Sequence, residues 1–164
     1  QKAECVYDVT FYFAHHYLEK GDRTIDQMVQ AARSGKQNIA EGAAAGNTSK
    51  ETEIKLTNMA KASLQELLVD YEDFLRVRGL EQWQPDDARL AQTKRACAAH
   101  NDSEYYRKAM PERSAETIAN IAITLIHQTD WLLNKLIEKL EIQFVENGGV
   151  KEQMTKARKE YRGY

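Results

Sequence analysis

Turn-forming residues are too few in this chain for anything but long helices. Two prolines and eight glycines are spread over 164 residues, whereas a β-sandwich or barrel needs turn signals roughly every 8–12 residues. The apolar residues confirm the helical period. Val6, Val9, Phe13 and Tyr17 form one stripe of a first helix, expected from about Lys2 to Leu18, and Tyr7, Phe11, Ala14 and Leu18 form a second stripe beside it. The combined face is wider than one bundle contact requires. Tyr7, Phe11, Tyr12, Phe13 and Tyr17 are therefore the candidates for contact with a second copy. Gly21 then closes the helix, and Asp22 or Thr24 can cap the next.

A second helix is expected from about Arg23 to Ala45. Ile25, Met28, Ala32, Gly35, Ile39 and Gly42 follow the alternating three-four spacing of a coiled-coil-like seam. Glycine inside a helix costs up to about 1 kcal/mol relative to alanine, so close approach of a neighbouring backbone is the expected compensation. Gly46 and Asn47 end this helix. Thr48 and Glu51 have capping-box spacing for a third helix, which runs to Arg78 before Gly79. Its faces are Leu56, Ala60, Ser63, Leu67 and Phe74, and beside them Leu64, Leu68, Tyr71 and Leu75. Between Leu80 and Met110 the pattern is irregular, with a short helix expected to begin at Pro85 and to break at Asn101–Ser103. A fourth long helix is expected from Ser114 to Glu146. Ile118, Ala122, Leu125, Leu132 and Leu136 form its seam, widened by Ile126, Leu133, Ile137, Leu140 and Phe144. Short connections make antiparallel neighbours. The expected fold is an all-α, up-down-up-down four-helix bundle over residues 1–147, with a short helical insertion before its last helix and a basic C-terminal extension over residues 148–164.

Charge narrows the partners. The formal net charge is -2, unlike a protein coated in basic residues for nucleic acid. From Val150 onward, however, Lys151, Lys156, Arg158, Lys159 and Arg162 face only Glu152 and Glu160. Tyr161 and Tyr164 interleave these basic residues, a pattern that suits either a nucleic-acid arm or a helix packed on a neighbour. On helix two, Arg33 and Lys36 with Gln30, Gln37 and Asn38 make a donor-rich face that can meet phosphates, a solvated surface or another subunit. Glu66, Asp70 and Asp73 share one face of helix three, which reads first as a solvated stripe and second as a partner for the basic tail of a neighbouring subunit.

Catalytic and metal constellations do not stand out. Di-metal bundles use Glu-x-x-His pairs, and none of His15, His16, His100 and His127 has an acidic residue three positions earlier. No Gly-x-Ser-x-Gly elbow surrounds a serine, and Gly35, Gly42 and Gly46 are too far apart for a phosphate loop. No cofactor is expected. Cys5 and Cys97 lack ligand spacing and read as core residues of a cytoplasmic protein. The longest apolar run, Ile118 to Ile126, is interrupted by Asn120 and Thr124 and falls short of a membrane span.

The stretch Ala31 to Gly42 resembles the signature of the bacterial four helix bundle protein family, whose first members are encoded in intervening sequences of 23S ribosomal RNA genes. The Asn-Ile-Ala-Glu-Gly run typical of its second helix corresponds to Asn38, Ile39, Ala40, Glu41 and Gly42, preceded by Arg33 and Gly35. Ser49-Lys50-Glu51 and Leu64-Gln65-Glu66-Leu67 also match, and the resemblance spans roughly Val6 to Asn147. The end of the chain resembles the C-terminal extension of the four helix bundle suffix subgroup. The resemblance implies a homo-oligomer, commonly a pentameric ring, with no family-wide catalytic residues. More distantly, the chain is similar to the accessory protein of diversity-generating retroelements, a pentameric barrel that binds a reverse transcriptase and nucleic acid. Those relatives are strongly basic, whereas basic charge is here confined to the tail. The expected function is thus a homo-oligomeric scaffold or adaptor for a macromolecular partner, with a nucleic-acid-binding accessory factor as the alternative.

Overall fold

A computed structural model describes residues 1–163; Tyr164 lies outside the described residues. Every regular element among them is helical: α1 (Lys2–Tyr17), α2 (Arg23–Ala45), α3 (Lys50–Val77), α4 (Ala88–Ala99), α5 (Ser103–Ala109), a 3-10 turn (Met110–Glu112), α6 (Ala115–Asn147) and α7 (Val150–Arg162). The most extensive packing is of α2 on α3, followed by α3 on α6, α1 on α2 and α1 on α6. Ser34 pairs with Ser63, while the Gly42 position faces Leu56, so α2 and α3 run in opposite directions. Lys61 reaches Asn134, whereas Asn120 binds the backbone just beyond the end of α3; α3 and α6 are therefore also antiparallel.

The core lies where the predicted stripes converge. Val6, Val9, Phe13, Met28, Leu67, Tyr71, Ile118 and Leu125 have essentially no solvent exposure. At its centre Tyr71 donates its hydroxyl hydrogen to Thr10 Oγ1 at 2.9 Å, which pairs two polar groups that burial would otherwise penalise. Burial also raises the Tyr71 pKa above the usual phenol value.

Two boundaries near the caps differ from the sequence expectation. The cap of α3 is Ser49, which accepts from the Thr52 backbone N–H at 3.1 Å. Thr48 instead donates its hydroxyl to Ala45 O at 3.0 Å, closing the end of α2, so one residue serves each helix. The short helix α4 begins after Pro85, at Ala88, because the Asp87 carboxylate accepts from the Arg89 backbone N–H and satisfies the first turn. The basic extension is helical from Val150 to Arg162, starting after Gly148, whose φ of +73° ends α6.

In the lower half of α6 the predicted Leu133 and Leu140 are buried, but Leu132 of the predicted seam is 47 % exposed, and Trp131, Ile142 and Val145, outside that seam, are more so. Lys2, at the start of α1, binds Gln128, while Tyr17, at its end, binds the backbone of Arg113. Sixteen residues of α1 thus cover only the first part of a 33-residue helix, and the seam beyond Gln128 loses that cover.

The segment between α3 and α4 is held in part by the buried Asn120 side chain. Asn120 accepts from the Trp83 backbone N–H at 2.9 Å and donates to the carbonyls of Glu81 and Glu116. Replacing it leaves a buried N–H unpaired. An Asn120→Ala variant is expected to lose about 2 kcal/mol of stability and to lose hydrogen-exchange protection first at the Trp83 amide, as checked by denaturant unfolding and exchange mass spectrometry.

Candidate functional site

The α2 signature divides into an inward and an outward half. Gly35 and Gly42 are buried against α3. A Cβ at Gly35 would come within 2.9 Å of Leu64 Cδ2, inside the packed α2–α3 contact, whereas one at Gly42 would make ordinary contact with Leu56 at 3.4 Å. Asn38 donates to Ser34 O and Ser34 Oγ, and Ser34 Oγ pairs with Ser63 Oγ at 2.9 Å. The Ser34–Ser63 bond ties α2 to α3, and the Asn38 amide supports it from within α2. Ile39 is half-buried, while Arg33, Ala40 and Glu41 face solvent. No ion pair joins Arg33 to Glu41 among the described residues. Lys36 is set apart from Arg33: its Nζ stands 4.4 Å from the centre of the Tyr7 ring, a cation–π contact that joins α2 to α1.

The aromatic face of α1 is the second feature. Tyr7, Asp8, Phe11, Tyr12, His15 and His16 line a shallow cleft closed by Arg107 and Met110. Phe11 is 49 % exposed. His15 packs on Phe11 with ring centres 4.3 Å apart, and His16 stacks on Tyr12 at 3.8 Å. Each imidazole Nδ1 also bonds the carbonyl four residues earlier, which restrains both rings against their aromatic neighbours. Of the five residues expected to meet a second copy, Phe13 does not belong. It is fully buried and packs on Tyr71 and Phe74, because its stripe is the one that faces α3. Tyr17 is half-buried and donates to Arg113 O at 3.1 Å. Phe11 is exposed, with Tyr7 and Tyr12 half-buried beside it in the cleft.

The third feature is α7. Lys151, Lys156, Arg158, Lys159 and Arg162 are all exposed, and α7 buries none of its residues. Its order rests on a local cap, in which the Gly149 N–H donates to Glu152 Oε2 at 2.8 Å. The exposed apolar residues at the far end of α6 were missed by periodicity, which marks a face but not the length of the helix that covers it.

Other chemistry-bearing groups are dispersed. Among the described residues no three His, Cys, Asp or Glu gather to hold a metal ion, and no helix is long and apolar enough to cross a membrane. Cys5 and Cys97 are free and buried. Burial pushes the Cys97 thiol up to about 11 and raises that of Cys5, so both stay protonated and unreactive near neutral pH. Comparison of the chain with family models, with curated proteins and with solved structures finds no match in any of the three.

The Gly35 contact makes a direct prediction. Gly35→Leu is expected to destabilise the chain by about 1–3 kcal/mol or more through overpacking against Leu64, whereas Gly42→Ala stays close to the parent. Thermal unfolding of the two variants checks the order; equal melting temperatures would contradict the close crossing.

Proposed function

We propose that this chain is a non-enzymatic, cytoplasmic homo-oligomeric scaffold that presents a helical surface to a macromolecular partner, with a pentameric ring as the favoured assembly. In this reading it belongs to the four helix bundle protein family, and α1, α2, α3 and α6 are the four helices of an up-down-up-down bundle, with α4 and α5 as the insertion and α7 as the suffix. The pairing order of the long helices and the short α1–α2 and α2–α3 connections support the bundle. The observation that carries the oligomer is the half-exposed Phe11, set among Tyr7, Tyr12 and the imidazoles of His15 and His16. An aromatic face of this kind is what a second copy can bury, since aromatic residues are enriched in the buried centres of interfaces. The exposed Trp131, Leu132, Ile142 and Val145 supply further apolar area on α6.

The test places a charge in the α1 cleft. Phe11→Arg is expected to reduce the assembly to the 18.8 kDa chain in size exclusion coupled to light scattering. Its helical content should be unchanged, because the Phe11 ring contributes little to the core. A Phe11→Arg variant that keeps the parent mass removes α1 from the interface.

The second role, a nucleic-acid-binding accessory factor that acts with a partner such as a reverse transcriptase, is favoured by one observation. All five basic side chains of α7 are exposed, and Lys151, Lys156 and Lys159 lie along one side of the helix. Copies in a ring would multiply this patch by avidity. That role requires binding to an RNA or single-stranded DNA pool that weakens steeply as salt rises. A salt-independent mass in the presence of the pool would count against it.

A further inference from the structure

Helix α7 carries an apolar stripe with nothing beneath it. Val150, Met154, Ala157 and Tyr161 recur at spacings of four, three and four, so they share one side of the helix, and Met154 and Tyr161 are 51 % and 94 % exposed. On the same helical period Lys151, Arg158 and Arg162 border this stripe on one side, and Gln153 and Glu160 border it on the other. A 13-residue helix with this pattern has little reason to persist alone in water. Its order calls for a surface that buries the stripe.

The outer groove between α2 and α3 has the complementary character. It is the largest open cavity described, about 1180 Å³. The small residues Ala31, buried, and Ser34, half-buried, lie deepest in its lining, while Ala62 and the 45 % exposed Val69 line it nearer the surface. Glu66 and Asp70 stand on its α3 wall, Gln27 and Gln30 on its α2 wall, and Asp26 at its end; no cation lines it. Neither these carboxylates nor the basic residues of α7 form an ion pair within the described chain. Burial, and then the charges of Asp73 and Glu66, raise the pKa of Asp70, as expected of a carboxylate that lacks a counter-ion. The dimensions agree as well. Asp26 to Ser34 extends about 12 Å along α2, and Met154 to Tyr161 about 10 Å along α7, at 1.5 Å per residue.

We propose that α7 of one copy docks its Met154–Ala157–Tyr161 stripe in the α2–α3 groove of a second copy, with Arg158 and its basic neighbours against Glu66 and Asp70. This contact rests on the homo-oligomeric reading above and adds to it a defined link between copies, separate from the aromatic face of α1. Small lining residues let the helix approach closely, and the unequal borders of the stripe fix which edge of α7 faces α3. The contact also gives the acidic body of the chain and its basic extension a common purpose.

Mixing full-length copies tests the contact. One copy carries Val69→Cys and the other Met154→Cys; the native thiols are buried and protonated. Mild oxidation of the mixture is expected to give a disulfide-linked pair of chains, and a control with Val77→Cys, which lies outside the groove, is expected to give none. Reversing the groove with Asp26→Lys, Glu66→Lys and Asp70→Lys should lower the yield roughly tenfold, as three attractive pairs become repulsive. Adding Lys151→Glu, Arg158→Glu and Arg162→Glu to the other copy should restore it. A link that forms only when both cysteines are in one chain, or Met154→Cys copies that link only to each other, would overturn the proposal. So would α7 lysines that are shielded from acylation only when single-stranded RNA is added. Absence of the link in a chain that light scattering shows to be oligomeric overturns the docking but leaves the scaffold standing. A monomer removes both.

Discussion

The close crossing of α2 on α3 is the constraint on which the other features depend. Gly35 lies against Leu64, and the Asn38–Ser34–Ser63 hydrogen bonds bridge the same helices. A larger residue at Gly35 would push α2 outward, and two surfaces would change with it. On the inner side Met28 and Ala32 would lose their places in the core. On the outer side the groove lined by Ala31 and Ser34 would widen. The conformational cost of a helical glycine is thus offset by packing that also shapes the outer groove between α2 and α3.

A second constraint is the unequal length of the helices. In a closed bundle each long helix covers its neighbours along their full length. Here α1 covers only the first part of α6, because Lys2 already reaches Gln128. The consequence is the exposure of Trp131, Leu132, Ile142 and Val145. Together with the α1 cleft and the stripe of α7, this leaves apolar surface in three separate places. Contiguous apolar surface of this sort marks interaction sites in soluble proteins, and an assembly of copies is a direct way to cover several at once.

Much of the helical architecture was legible in the sequence because periodicity reports which face of a helix is apolar. The stripes of α1 and α3 fall where expected, as do the glycines of α2. Side-chain competition for caps was less legible: Thr48 and Ser49 are adjacent and chemically alike, and only the geometry shows Thr48 closing α2 while Ser49 opens α3. Phe13 illustrates a different limit. Two neighbouring stripes on α1 are both aromatic, and sequence alone does not say which one the core takes. The buried Asn120 gave no signal at all beyond interrupting an apolar run, yet it helps to hold the segment after α3. The groove carboxylates were readable as a stripe on α3, but Gln27 and Gln30 opposite them belong to another helix and become their neighbours only through the fold.

The central claim is that copies of this chain assemble through surfaces that one copy leaves uncovered. Sedimentation equilibrium of the unmodified chain over a wide range of concentrations tests it most directly. The account predicts a single species at a whole multiple of 18.8 kDa, close to fivefold, that persists on dilution. A mass of 18.8 kDa at every concentration would contradict it.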